Sequence, residues 1–218
     1  MTPTTPAPPS ALNGADERPP EPLSTTCWGP DAFRRHVFAR LAKDAWRHAV
    51  PETGGLATLR DWIARGHPLI VRRPCRSDDG GEVFLGLALP GRRRLSYRVR
   101  TADVLSLEPP PLWTGGDFLP FRPRLFGSHA WQELTGLEYI TPTSDVDLFL
   151  DIGSLAEWRM FCTQQTTFPP PRIDLEIVFR GDAAFSWREF LGPAKDLLLK
   201  SNRRVWLEPR DQLDGFLK

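Results

Sequence analysis

The chain has little that would tie it together covalently or anchor it in a membrane. Cysteine is confined to Cys27, Cys75 and Cys162, far apart and with no Cys-x-x-Cys spacing, which argues against a disulfide framework or a zinc site. Reduced thiols acting as small packing residues are expected instead. Excess charge of one sign is missing too: 28 Lys and Arg against 27 Asp and Glu leave a formal charge of +1. A protein that coats nucleic acid by bulk charge is thereby excluded, and any anion binding must be local. No apolar run approaches the roughly 18–20 residues needed to cross a bilayer, and the first residues carry no charged-then-apolar secretory pattern. A cytoplasmic protein with no membrane attachment is expected. The 218 residues, 40% hydrophobic and 25% charged, suffice for one large domain or two small ones with their own cores.

Proline, by contrast, is plentiful, and it punctuates the chain. Seven prolines between Pro3 and Pro22, among Thr, Ser and Ala, predict a disordered tail over residues 1–24. A second proline-rich stretch, Glu108 to Phe121 with Gly115-Gly116, marks a connector. The expected organisation is α+β throughout, with an N-terminal α+β domain over 25–108 and a mixed-sheet domain with flanking helices over 109–218. In the first, Phe33, Val37, Leu41 and Ala45 recur every fourth residue up to Pro51 and predict a helix. Thr58 to Ala64 predicts a shorter one, with Gly66 at its C-terminal cap. Pro68 to Arg73 reads as a strand, and Val83–Leu89 with Leu95–Val99 as a hairpin around Pro90-Gly91. Arg72, Arg73, Arg76, Arg92, Arg93, Arg94, Arg98 and Arg100 cluster in this region. They form either a solvated face or a patch for an acidic partner or a polyphosphate.

The chemistry concentrates in residues 125–150. Gly127-Ser128 opens a short amphipathic segment, His129 to Leu137, and Ser144-Asp145-Val146-Asp147 begins a strand. Alternation along a strand aims Asp145 and Asp147 to the same side, roughly 6.5–7 Å apart at Cα. Such a pair repels itself unless a proton or a hard cation neutralises it, and paired carboxylates beside a substrate phosphate are a usual seat for Mg2+. Gly127 lets backbone N–H groups approach a phosphate, Ser128 can donate to it, and the helix start favours negative charge. An acidic edge strand is the plainer reading, but Val146, Leu148, Phe149 and Leu150 describe a buried strand. A calcium loop at Asp145-x-Asp147-x-x-x-Asp151 fails because its central glycine is missing. Ser128 can also be a plain helix cap, His129 has no partner at a recognisable spacing, and Trp131 reads as core. Ser154 to Glu157 forms a capping box for a later helix. In Arg172 to Phe179, Asp174 and Glu176 share one strand face.

The order Gly-Ser, helix, Ser-Asp-x-Asp strand resembles the nucleotidyltransferase superfamily of DNA polymerase beta. The longer run LFGSHAWQELTGLEYITPTSDVDLFL at 125–150 is similar to the signature of the phosphoribosyl-dephospho-CoA transferases, the holo-acyl-carrier-protein synthases of bacterial malonate decarboxylase. Residues 62–73 and 85–90 resemble that family's N-terminal domain. The resemblance implies a nucleotidyltransferase-like second domain. It also implies Mg2+-dependent transfer of a prosthetic group from triphosphoribosyl-dephospho-CoA to a serine of the acyl-carrier subunit of malonate decarboxylase, releasing pyrophosphate. It implies a third metal carboxylate beside Asp145 and Asp147, a role that Asp174 or Glu176 matches; Asp174 is favoured, though spacing does not separate them. Lys200 matches a lysine on a late strand and is a candidate phosphate contact with Gly127 and Ser128. A different nucleotidyltransferase, moving a nucleoside monophosphate, and a non-enzymatic module with a decayed site are the alternatives.

Overall fold

The computed structural model describes residues 32–73, 81–91, 93–115, 118, 120–165 and 172–218. The expected tail at 1–24, together with Cys27, Cys75, Arg76 and Arg92, lies outside them. The described chain forms two six-stranded sheets with helices, an α+β fold. The first sheet contains β1 (Phe38–Leu41), β2 (Val50–Thr53), β3 (Leu69–Val71), β4 (Glu82–Leu89), β5 (Arg93–Arg100) and β6 (Val104–Glu108), in the order β2-β5-β4-β3-β1-β6. Helix α1 (Leu56–Ala64) buries Leu59, Trp62 and Ile63 against it. The second sheet contains β7 (Arg124–Leu125), β8 (Val146–Ile152), β9 (Ile173–Phe179), β10 (Ala183–Ser186), β11 (Asp196–Lys200) and β12 (Val205–Pro209), in the order β12-β11-β10-β9-β8-β7. Helices α2 (Gly127–Thr135), α3 (Leu155–Gln164) and α4 (Trp187–Leu191) accompany it.

The helix expected from Phe33 to Ala45 is not formed. That stretch holds a turn, the strand β1 and a short 3-10 turn at Ala45–Arg47, and the chain then enters β2. Strand β1 lies between β3 and β6, and both Phe38 and Ala39 are fully buried. A strand buried on both faces shows no alternation, so its apolar residues mimicked a helical spacing. The shorter helix, the β4–β5 hairpin and the C-terminal glycine Gly66, at φ +71°, are as the sequence suggests.

In the second sheet, alternation is clear. Leu148, Leu150 and Ile152 of β8 and Leu175, Ile177 and Phe179 of β9 face a common core. That leaves Asp147, Phe149 and Asp151, and Asp174, Glu176 and Val178, on the opposite face. The connection between these parallel strands is α3, whose Ser154 side chain accepts from the Glu157 N–H at 3.2 Å. Phe161 of α3 is fully buried, edge-on to Phe121 at 5.1 Å and to Trp187 at 4.8 Å. Trp131 of α2 meets Phe38 and Trp62 of the first sheet's core at 5.1 and 6.0 Å, so one hydrophobic core runs through both sheets. Among the described residues no helix is long and apolar enough to cross a membrane.

Replacing Phe161 by Ala removes the centre of this aromatic layer. A loss of about 3–5 kcal/mol in unfolding free energy is expected from denaturant titration; a loss under about 1 kcal/mol would show that the layer does not hold α3 in place.

Candidate active site

Strands β8 and β9 run parallel with Asp147 directly opposite Asp174. The two carboxylates therefore share a sheet face, and Asp145, two residues earlier, precedes the ladder at the same edge. The loop leading into β8 is held by a hydroxyl and by the backbone: Thr141 N–H donates to Ser144 Oγ at 2.9 Å, and Val146 N–H donates to the Arg172 carbonyl at 2.6 Å. Beside the aspartates, β7 pairs antiparallel with β8, and Phe126 N–H donates to the Asp147 carbonyl at 2.9 Å. Helix α2 begins at the next residue.

That helix start is built around glycine. Gly127 has φ +61°, and a Cβ placed on it would lie 1.8 Å from Asp147 Oδ2. The Asp147 carboxylate thus rests in the space a side chain would fill. Phe126, the N-cap, offers no side-chain acceptor, so the first-turn N–H groups of Gly127 and Ser128 receive no capping bond from it, and N–H groups at a helix start suit an anion. Ser128 lies inside the helix and is not its cap.

Electrostatically, Asp147 is the focus. Burial first, then the Asp174 and Asp145 carboxylates, push its carboxyl up to about 6, while Arg94 of β5 acts in the opposite sense. The β4–β5 hairpin is brought here by Tyr139, whose hydroxyl donates to the Ala88 carbonyl at 2.7 Å. The donors gathered at this edge are all hard oxygens, the type that suits Mg2+. As they stand, no three acid, histidine or cysteine side chains among the described residues converge closely enough to hold a metal.

Glu176 sits one row further along β9 in a different setting. Arg35 grips it with one guanidinium nitrogen at 2.9 and 3.0 Å, His36 Nε2 lies 3.0 Å from Oε2, and Lys200 Nζ is 3.9 Å from Oε1. Burial alone would raise its pKa, but the His36 hydrogen bond and the Arg35 charge hold it down at about 2. Burial lowers the pKa of His36. A neutral imidazole that meets an ionised carboxylate through Nε2 must carry its proton there. His36 has φ +69° and stacks on Phe149 at 4.7 Å, with Phe126 at 4.8 Å.

The residues singled out in the sequence thus divide. Gly127, Ser128, Asp145, Asp147 and Asp174 come together at one edge; Glu176 and Lys200 belong to a neighbouring ion cluster. The arginines divide as well. Arg72 pairs with Glu52 at 2.9 Å, Arg98 with Glu82 at 3.1 Å and Arg100 with Asp103 at 2.9 Å, so much of the expected basic patch is engaged within the protein. Arg73 ends the stretch after β3, Arg93 and Arg94 are exposed, and the charge of Arg94 is felt at Asp147. Arg35 and His36 were missed because they were read as helical; the break in apolar pattern at Arg34-Arg35-His36 was the available signal. A cavity of about 600 Å³ lies toward the other end of β8, with Arg34, Phe121, Arg122, Phe149 and Asp151 in its wall. Asp145, Asp147 and Asp174 do not line it, and the site's chemistry rests on them rather than on this hollow.

Comparison with known proteins places this architecture among the transferases. Residues 34–110 match the profile of the phosphoribosyl-dephospho-CoA transferase MdcG N-terminal domain, and residues 113–211 match that of the C-terminal domain. A phosphoribosyl-dephospho-CoA transferase of Xanthomonas euvesicatoria is 33% identical over 205 residues, 82% of this chain and 95% of that protein. One from Bradyrhizobium diazoefficiens is 32% identical over 206 residues, 82% of this chain and 91% of the relative. No solved structure matches significantly. The chain belongs to the phosphoribosyl-dephospho-CoA transferase family.

Two expected outcomes follow from the site. Gly127→Ala forces a Cβ into the Asp147 carboxylate at a left-handed φ, so activity should drop by about 100-fold or more while the fold persists; near-normal activity would remove Gly127 from the site. The second concerns pH. Asp147 holds its proton more tightly folded than unfolded, so its contribution to stability is greatest below 3.8 and declines as pH rises to about 6. Denaturant titrations in chelator should show this decline in wild type and its loss in Asp147→Asn. Glu176 works oppositely, its stabilisation being lost only as pH falls from 4.5 toward about 2, so the two effects occupy different windows.

Proposed function

We propose that the protein transfers the phosphoribosyl-dephospho-CoA group from triphosphoribosyl-dephospho-CoA to a serine of the acyl-carrier subunit of malonate decarboxylase, releasing pyrophosphate. The observation that carries this reading is the placement of Asp147 opposite Asp174, with Gly127 packed against the Asp147 carboxylate at the start of α2. Family membership supports the transferred group, and this geometry supports Gly127 and Ser128 as contacts for its phosphates.

In the reaction, the acceptor serine Oγ forms a bond to the α-phosphorus, the bond from that phosphorus to the β-bridging oxygen breaks, and pyrophosphate departs. Asp174, on the exposed side of the pair, takes the hydroxyl proton on a carboxylate oxygen. The N–H groups of Gly127 and Ser128, with the Ser128 hydroxyl, hold the β and γ phosphates, and Arg94 adds a cation from the facing hairpin. Asp145, Asp147 and Asp174 are the residues that would hold Mg2+, which when bound neutralises charge on the transferring phosphate. Glu176 is a poor third ligand, since Arg35 and His36 already occupy its oxygens.

Mass spectrometry of the apo carrier subunit, incubated with Mg2+ and triphosphoribosyl-dephospho-CoA, should show the added group on a serine. An unchanged carrier mass, with a labelled nucleoside monophosphate transferred instead, would replace this reading by that of another nucleotidyltransferase. Metal binding is checked independently of turnover. A ligand at a hundredfold excess over its Kd stabilises the folded state by about 2.7 kcal/mol, so wild type should melt higher in Mg2+ than in chelator. Asp145→Asn/Asp147→Asn should lose that shift yet melt no lower than wild type in chelator, because like-charge repulsion has been removed. A wild type indifferent to Mg2+ with a markedly less stable mutant would make the aspartates structural.

A further inference from the structure

Asp145 differs from its two acidic neighbours in how it is held. Asp147 and Asp174 are paired within the β8–β9 ladder, which starts at Val146 opposite Ile173. Asp145 is instead the last residue of the loop that runs from α2 to β8, so its place is set by that loop rather than by the sheet. One side chain pins the loop to α2. Gln132 Oε1 accepts the Tyr139 N–H at 3.1 Å and the Ile140 N–H at 3.0 Å, while the Gln132 backbone carbonyl accepts the Gly136 N–H at 2.8 Å. A side-chain amide that meets two N–H donors must turn its oxygen to them. Beyond Ile140 little slack remains. Thr141 N–H donates to Ser144 Oγ at 2.9 Å and Ser144 N–H to the Thr141 carbonyl at 3.0 Å, closing a turn that ends at Asp145. Gln132 itself lies four residues after Ser128, on the same side of α2. Tyr139 carries the tie to the first sheet: its hydroxyl donates to the Ala88 carbonyl, and Ala88 is the residue paired with Arg94 across the β4–β5 hairpin.

We propose that Gln132 is a positioning residue for the transfer, fixing Asp145 relative to the start of α2, and that Tyr139 passes the same constraint to the hairpin that bears Arg94. The inference rests on the proposed function, in which Asp145 and the N–H groups of Gly127 and Ser128 act on one chain of phosphates. Those groups belong to two different elements, and a relative displacement of about 1 Å can cost about 100-fold in rate. Strand pairing fixes Asp147 against α2 through the Phe126 N–H, but it stops short of Asp145. The Gln132 oxygen spans that gap. Its bond to Ile140 is exposed and its bond to Tyr139 only half-buried, so water can replace a lost acceptor and the fold persists without it.

The test uses the full chain and three variants. Gln132→Leu keeps the bulk and removes the acceptor, Gln132→Glu keeps an acceptor oxygen, and Tyr139→Phe removes only the hydroxyl. Transfer to the apo acyl-carrier subunit of malonate decarboxylase is followed by mass, and exchange of the Tyr139 and Ile140 amides by NMR. In Gln132→Leu both amides should exchange about tenfold faster, and kcat should fall by about 10- to 100-fold with the melting temperature nearly unchanged. Gln132→Glu should restore both. Tyr139→Phe should raise the KM for triphosphoribosyl-dephospho-CoA as Arg94→Ala does, and the double variant should go no further than Arg94→Ala alone. A Gln132→Leu protein with released amides and wild-type kcat would overturn the positioning role and leave the transfer reading standing. So would a loss of kcat that Gln132→Glu does not restore, since packing of α2 would then explain it. Amides that exchange in Gln132→Leu as in wild type would overturn the tie itself, whatever the activity. Fully additive effects of Tyr139→Phe and Arg94→Ala would overturn the link to the hairpin. A wild type that leaves the carrier unmodified would overturn the proposed function and the role of Gln132 with it.

Discussion

A buried carboxylate, Glu176, is the constraint on which the arrangement of the two sheets depends. It is only 6% exposed, and an ion taken out of water is tolerated only when opposite charge and hydrogen bonds replace the lost hydration. The second sheet supplies Lys200, at 3.9 Å, which is not enough by itself. Arg35 and His36 complete the shell, and they come from the chain just before β1 of the first sheet. To deliver both, the backbone passes through φ +69° at His36, a conformation that costs a non-glycine residue about 1 kcal/mol or more. Breaking such a pair leaves an uncompensated buried charge, and losing one partner costs about 3–5 kcal/mol. The clasp therefore specifies where the first sheet sits more than it adds to stability.

The same clasp divides the acids of one sheet face into two kinds. Glu176 and Asp174 are neighbours on β9, yet Glu176 is surrounded by cations of the protein and held ionised, at about 2. One row away, Asp147 is pushed up to about 6 by burial and by Asp174 and Asp145. The protein satisfies one carboxylate completely and leaves the others in mutual repulsion, which an incoming cation relieves. The His36 ring that meets Glu176 also packs against Phe149 and Phe126, so the clasp is tied to β8 and to the residue that precedes α2.

Much of this was legible in the sequence where local pattern and local structure agree. The alternation in β8 and β9, the hairpin, the short helix closed by Gly66 and the capping of α3 by Ser154 all depend on neighbours within a few residues. The grouping of Gly127, Ser128, Asp145 and Asp147 was legible for the same reason. What failed depends on partners far along the chain. Strand β1 was read as a helix because it lies inside the sheet, between β3 and β6, and is buried on both faces, which erases the two-residue period. The choice between Asp174 and Glu176 was open because their spacing is equivalent; only the arrival of Arg35, 141 residues earlier, distinguishes them. The arginines of 72–100 looked like one patch, since nothing local reveals that Glu52 lies beside Arg72 and Glu82 beside Arg98; the pairing of Arg100 with Asp103, three residues on, was within local reach.

Gly127 connects these two scales. Its Cα lies against the Asp147 carboxylate with no room for a methyl group, so the site tolerates little movement of α2 relative to β8. Yet α2 is not held by the second sheet alone: Trp131, one turn further on, packs against Phe38 and Trp62 of the first. Close-packed interiors transmit displacement rather than absorb it. A shift of the first sheet is therefore passed through Trp131 to the helix start and to the space around Asp147. The Glu176 clasp and the Trp131 contact fix the two sheets at separate points, and two fixed points on one rigid sheet leave little freedom to rock. The geometry of the aspartates is in this sense a property of both halves of the chain, although every acidic residue at the site belongs to the second.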